Sequence, residues 1–331
     1  MSIIHYLLRI SHLQSGGLIT NYSCTSRCRH CLYACSPKRS KEYITAKQAR
    51  ENFRIAKEFQ CKSLHIGGGE PFLNPAGLME VARMAGREGI VIEYIETNAS
   101  WFNEGYKSLE ILDELKNEGI HTLLISISPF HNEFIPFNKV KKLIEACYKK
   151  GIHVFPWMET FIGDQLQMDT EKTHKLEEYK QLFGDDYVYR IPSRYWIHYG
   201  GRAIDIFRNE FALKRVDELI RFSQPCSELA DTSHFHIDLK GKYIPGLCSG
   251  FGLDADDLDN PLWMKKYRLV QMLYAEGIGA LLDYAKTKYD FKTVREYMNK
   301  CQLCTAIREY LVGMNLAYEE LYPVEFYAEL E

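Results

Sequence analysis

From residue 17 to about residue 222 the sequence keeps returning to one pair of segments, a helical stretch closed by glycine and then a short apolar run. GLITNY (17–22) reads as a first strand, TAKQARENFRIAKEF (45–59) as a helix, and SLHIG (63–67) as a second strand ending in glycines. The pair recurs as AGLMEVARMAGREG and IVIEYIETN, as SLEILDELKNEG and HTLLISIS, and as KVKKLIEACYKKG and IHVFPWMET. Helices that stop at Glu-Gly or Lys-Gly before a β-branched run are the pattern of βα units in a parallel sheet. DDYVYRIPSRYW (185–196) adds a sixth strand before a helix over IFRNEFALKRVDELIRF (206–222). About six units fit an α/β fold built on a partial (β/α)6 TIM-like barrel, open rather than closed eightfold.

After residue 222 the rhythm breaks. HFHIDLKGKYIPGLC (234–248) reads as a β-hairpin turning at Lys240-Gly241, and the remainder is mostly helical up to KCQLC (300–304). The expected division is a barrel over 1–222 and a smaller hairpin-plus-helices domain over 223–331.

The 331 residues are 46% hydrophobic, 26% charged and 13% aromatic, which places the chain in the globular class. A formal charge of -3 offers no basic field for a phosphate backbone, so no nucleic-acid partner is expected. No stretch approaches the ~18 apolar residues of a spanning helix, and the N-terminus lacks a secretory signal pattern. The expected location is the cytoplasm, without a membrane partner.

Ten cysteines in such a chain point to metal or redox chemistry before disulfides. Four lie between Cys24 and Cys35, and another four spread from Cys226 to Cys304. Cys24, Cys28 and Cys31 follow the first strand at offsets that let one loop wrap a [4Fe–4S] cube and leave one iron without a protein ligand. A zinc or purely electron-transfer site is the competing reading, although the spacing is not that of paired CxxC knuckles.

With Gly67-Gly68-Gly69-Glu70-Pro71 at the end of the second strand and Thr97-Asn98 at the end of the third, this loop resembles the CxxxCxxC signature of the radical S-adenosylmethionine (SAM) superfamily. The resemblance covers most of residues 18–205. It implies that the GGE motif holds the amino group of the SAM methionine, and that Thr97, Asn98, Ser126 and Ser128 contact its ribose and carboxylate. His30, just before the third cysteine, stands where the family usually keeps an aromatic ring against adenine. It further implies that SAM chelates the open iron and is cleaved by one electron to methionine and a 5′-deoxyadenosyl radical, which takes hydrogen from a substrate. A flavodoxin- or ferredoxin-type protein would supply that electron.

Cys226 precedes the hairpin, Cys248 ends it, and Cys301-Gln-Leu-Cys304 opens the last long helix, so four thiolates can converge from three segments. This arrangement resembles the twitch domain, the shortened form of the SPASM extension, which holds an auxiliary [4Fe–4S] cluster. A structural zinc with the same ligands is the alternative. Four protein ligands would close such a cluster, which favours electron transfer over substrate binding.

His131, after the fourth strand, and Glu159, at the end of the fifth, are candidate catalytic groups facing the pocket. The family often has an aspartate after the fourth strand, where this chain has Pro129-Phe130-His131. Arg202, after the expected sixth strand, can bind a carboxylate of SAM or substrate. Cys35 can donate a hydrogen atom to a substrate radical, as a cysteine does in peptide epimerases of the superfamily. Cys61 and Cys147 read as core, His234 and His236 as one face of a strand, and Asp254 to Asp259 as a solvated loop.

The reading that follows is a radical SAM oxidoreductase or maturase acting by hydrogen abstraction, with oxidative modification of a ribosomally made peptide preferred. A small-molecule dehydrogenase of the aminocyclitol or sugar type is the alternative. A two-cluster electron carrier is a more distant one, because it leaves GGGEP and a barrel of about 200 residues without purpose.

Overall fold

In the computed structural model, which describes residues 7–260, 266–294 and 296–330, the parallel strands are β1 (Gly16–Ile19), β2 (Ser63–Gly67), β3 (Val91–Thr97), β4 (Thr122–Ser126) and β5 (His153–Trp157). Strands β3, β4 and β5 each begin where the chain leaves a helix closed by glycine, at Gly89, Gly119 and Gly151. Helices Ala46–Glu58, Pro75–Glu88, Tyr106–Asn117 and Phe137–Lys150 connect β1 through β5. Thr45 and Gln48 close a capping box on the first, and Gly89 and Gly151 end the second and fourth in the left-handed conformation. The helix stops expected from Glu-Gly and Lys-Gly are therefore physical caps.

The rhythm ends at β5. Residues 185–196, expected as a sixth strand, instead contain the helix Tyr187–Arg194, whose buried residues Tyr187, Val188 and Ile191 share a helical face. The helix expected over 206–222 is also broken. It comprises Ala203–Phe207, a two-residue strand β6 (Lys214–Arg215) and Val216–Phe222, with β6 pairing antiparallel to β10 (Glu296–Tyr297).

The predicted hairpin is β7 (Phe235–Asp238) and β8 (Lys242–Ile244), joined by β9 (Leu253–Asp254). It extends the main sheet, whose order is β5-β4-β3-β2-β1-β7-β8-β9, with β7 parallel to β1. The mixed α/β architecture is a partial barrel of five parallel strands, with β7 taking the parallel place beside β1. The proposed division at 222 thus runs between parts that share one sheet, and one hydrophobic core contains residues of both.

Gly17 lies between His65 of β2 and His236 of β7. A Cβ at Gly17 would come within 2.3 Å of the His65 ring. The glycine leaves space for the two imidazoles to meet across β1, Nε2 to Nε2 at 3.0 Å. The acidic stretch after β9 is more ordered than a solvated loop. Asp254 and Asp257 both bond Lys266, and Tyr267 donates to Asp257. No helix among the described residues is long and apolar enough to cross a membrane.

Candidate active site

The loop after β1 is held in shape by the glycines after β2. Thr20 N–H donates to the Gly67 carbonyl, Gly69 N–H to that of Asn21, and Glu70 N–H to that of Ser23. A Cβ on Gly69 would stand 1.9 Å from the Ser23 oxygen, and Gly68 has φ +145 beside Asn21. Backbone contact this close admits only glycine. The loop closes further on by the Cys24 N–H bond to Ser36 and that of Cys31 to Cys28.

Cys24, Cys28 and Cys31 all line a cavity of about 390 Å³ that also reaches His30, Gly68, Gly69, Pro71, Thr97, Asn98, Ser126 and His131. Burial pushes the Cys24 thiol up to about 12 and that of Cys28 well above the ordinary range. The hydrogen bond shared with Cys35 holds Cys31 low, while burial opposes it and Arg202 assists. Ser26 N–H and Asn98 Nδ2 each point at the Cys24 sulfur from 3.4 Å. A group that carries metal charge between these thiols would offset the desolvation that now disfavours their ionised form.

The residues expected to hold SAM divide into two sets. Gly68, Gly69, Pro71, Asn98 and Ser126 reach the cavity. Glu70 is fully buried, and its carboxylate accepts from Phe72 N–H, Thr97 Oγ1 and Asn98 N–H, so it ties β2 to β3 and leaves an ammonium to the glycine backbone. Burial pushes its pKa up to about 7. Thr97, although at the cavity wall, uses its hydroxyl on Glu70 and the Trp101 indole N–H. Ser128 is fully buried and caps the helix Pro129–Asn132 while bonding His131 Nδ1 at 2.7 Å.

His30 stacks on Phe130 at 4.7 Å and meets His131 edge-on at 4.8 Å. Its Nδ1 is buried without a hydrogen-bond partner, which suits a ligand that brings its own polar atoms against the ring. Burial lowers His131 to about 4, so it is neutral at pH 7, and its bond to Ser128 through Nδ1 leaves Nε2 for the cavity. Cys35 also lines the cavity, but Glu159 does not. The left-handed turn at Met158 buries that methionine and leaves Glu159 exposed.

Arg202 is also placed differently from expectation. Its Nε donates to the Cys28 carbonyl at 3.0 Å, Nη2 to that of Cys35 at 2.7 Å and Nη1 to that of Glu329 at 3.4 Å, while its backbone N–H bonds Cys31. It is a buried brace on the cysteine loop rather than a carboxylate receptor. Gly201 before it, with φ +54, lets this segment lie against the Cys31 and Leu32 carbonyls.

Sequence reasoning missed the inward face of the sheet, which brings Tyr94, Glu96, Phe155 and Trp157 to the same cavity with His234 and His236. The available signal was the pleat, since these residues stand two apart on their strands. Below them, Tyr33 bonds His236 Nδ1 at 2.7 Å, and His65 stacks on Tyr94. His65 and His236 are both held neutral by burial.

The second cysteine set lines an adjoining cavity of about 540 Å³. Cys301 and Cys304 sit in the first turn of Lys300–Gly313, capped by Asn299, while Cys248 closes the turn after β8 and Cys226 bonds Leu273 through its N–H. Arg308, on the same helix, lines this cavity and is 5% exposed. It bonds the Ser249 carbonyl, Tyr327 and Thr305 and lies over the Phe251 ring, but its Nε has no partner, and among the described residues no carboxylate pairs with it. A buried unpaired cation beside four thiols fits a group of net negative charge. Among the described residues no three His, Cys, Asp or Glu side chains are placed to hold a single metal ion. The two cavities share Trp196, His198, His234 and Leu247 as a common wall.

Residues 18–176 match the Radical SAM superfamily model. Comparison with curated proteins found no match. Among solved structures, SuiB of Streptococcus suis bound to S-adenosylmethionine aligns at 15% identity over 88% of this chain and 78% of its own, with a TM-score of 0.39. Native anSMEcpe with bound AdoMet aligns at 14% identity over 91% and 98%, with a TM-score of 0.42. Coproporphyrinogen III oxidase (HemN) from Escherichia coli aligns at 12% identity over 93% and 92%, with a TM-score of 0.32.

Proposed function

Because this chain carries a radical SAM domain over residues 18–176, a domain that works with SAM and a [4Fe–4S] cluster, we propose that it is an oxidoreductase acting on a substrate admitted between its two cysteine sets. Cys24, Cys28 and Cys31 would hold the catalytic cluster, and Cys226, Cys248, Cys301 and Cys304 an auxiliary one. The first cluster would supply the electron that cleaves SAM to methionine and a hydrogen-abstracting 5′-deoxyadenosyl radical, and the second would be an acceptor for the electron left on the substrate.

The observation that carries this reading is the shared wall. Trp196, His198, His234 and Leu247 border both cysteine-lined cavities, so a substrate lodged there touches both sites. The chain's own residues do the positioning. Gly68 and Gly69 bring backbone to the loop, Asn98 and Ser126 present polar groups, and His30, backed by buried Phe130, forms an aromatic wall with Trp157. His131, kept neutral by burial and oriented by Ser128, is the candidate proton acceptor. Cys35 is the candidate hydrogen donor where the reaction returns hydrogen.

A peptide is the proposed substrate class. Its support is the exposed aromatic rim, where Trp196 is 67% and Phe155 51% exposed, a mouth better suited to a chain than to an enclosed small molecule. A flavodoxin- or ferredoxin-type protein is the proposed reductant. The test is iron and sulfide analysis after anaerobic reconstitution, with a dithionite-driven assay for 5′-deoxyadenosine. About eight irons per chain with SAM cleavage is expected. About four with cleavage leaves the second site to zinc, and iron without cleavage removes the enzyme reading in favour of an electron carrier.

A further inference from the structure

Glu96 is the one carboxylate, and the one formally charged side chain other than titratable thiols and histidines, among the residues lining the first cavity. Its side chain is 39% exposed and faces that space from β3. The nearest basic group is His65 Nε2 at 3.8 Å, on an imidazole that burial keeps neutral. Among the described residues no lysine or arginine lines the cavity. A carboxylate in such a place lacks the counter-charge that buried anions ordinarily have.

Its surroundings are aromatic. Tyr94 meets Phe155 at 6.2 Å, and Trp157 meets Tyr195 at 5.5 Å, and all four line the same cavity. Gly67 makes room for the group, since a Cβ there would come within 2.9 Å of Glu96 Oε2. A carboxylate and four aromatic rings lining one cavity are groups that can take a cation, through a charge-assisted hydrogen bond and cation–π attraction. Burial, with Cys31 nearby, lifts the Glu96 pKa to about 7, so an ammonium set against it would favour the ionised carboxylate, which a neutral or anionic group would not.

We propose that Glu96 and its aromatic neighbours form the substrate's ammonium site, so that the molecule oxidised in this cavity carries a primary amine. The proposal rests on the reading of the cavity as a substrate chamber. It names an alkylammonium, as on a lysyl side chain, and separates this from the ammonium of SAM itself.

The test uses the reconstituted full chain with n-butylammonium as probe and n-butanol as its neutral counterpart, followed by saturation-transfer NMR in the presence of SAM. Saturable binding of butylammonium and none of butanol is expected, at least tenfold weaker in Glu96→Gln and unchanged in Glu93→Gln, whose carboxylate bonds Ser63 and does not line the cavity. Glu96→Asp, which keeps the charge, should retain part of the affinity and so separates charge from folding. Equal binding by wild type and Glu96→Gln overturns the proposal. One-for-one displacement of butylammonium by SAM, or a parallel loss of SAM affinity in Glu96→Gln, also overturns it by assigning the carboxylate to SAM. If the wild type makes no 5′-deoxyadenosine, the proposed function falls, while the butylammonium titration still decides the ammonium site.

Discussion

The two cysteine sets solve different problems of assembly. Cys24, Cys28 and Cys31 lie on one short loop, and their placement depends on backbone contacts to the Gly67–Glu70 segment and on a single arginine. Cys226, Cys248, Cys301 and Cys304 come from three segments that meet only after the hairpin and the helix Lys300–Gly313 have packed. Each set has a buried arginine, used in opposite ways. Arg202 gives its N–H groups to carbonyls and fixes geometry, whereas Arg308 keeps its Nε free beside the thiols and supplies charge. Both cations also draw down the thiols beside them, so the difference lies in Arg202 spending its Nε on a carbonyl of the loop while Arg308 leaves its Nε free.

The sharpest way to break this comparison is to remove one set at a time. Replacing Cys24, Cys28 and Cys31 together with Ala should abolish 5′-deoxyadenosine formation and leave about four irons per chain at the second set. Persistence of the nucleoside in that variant would refute the assignment. The reciprocal variant, Ala at Cys226, Cys248, Cys301 and Cys304, should halve the iron content and retain SAM cleavage. Zinc in the wild type, lost in this variant by metal analysis, would instead make the second site structural.

The arginines give a finer contrast. Arg202→Met strands the buried Cys28 and Cys35 carbonyls and should destabilise the apoprotein by about 2–4 kcal/mol in denaturant unfolding, at ~1–3 kcal/mol per buried group left unpaired. Arg308→Met removes an unpaired buried charge together with its hydrogen bonds, so apoprotein stability should change by about 1 kcal/mol or less. Its effect belongs to the holoprotein, where the second centre should become harder to reduce in a redox titration. An unchanged midpoint would show that Arg308 acts through packing alone. The smallest effect is expected at Glu159, which is exposed and does not line the cavity. Glu159→Ala should alter stability by no more than about 0.5 kcal/mol and leave SAM cleavage as it was, by thermal melt and nucleoside assay.

The sequence was most legible where chemistry and local spacing coincide. CxxxCxxC after a strand, GGGEP and the glycine-closed helices all act over a few residues, and they appear in the fold where expected. The part beyond β5 was not legible, because Tyr187, Val188 and Ile191 suit a short strand or a helix and tertiary packing decides between them. Motif reading also mistook where side chains point. Glu70 and Arg202 carry the right charge for ligands, yet both turn inward, because the neighbouring N–H groups and carbonyls need them. Glu96 escaped notice for the opposite reason, since nothing in its immediate sequence marks it and only the fold sets it in the same cavity as Trp157 and Tyr195.

The pairing of β1 with both β2 and β7 bears on how the chain is made. One flank of β1 finds its partner within some fifty residues, whereas the other waits for a strand more than two hundred residues later. During synthesis the cysteine loop therefore emerges beside an unprotected sheet edge, open to wrong pairing until the hairpin arrives. A stalled or shortened translation product would therefore carry the Cys24–Cys31 loop on an open, aggregation-prone edge.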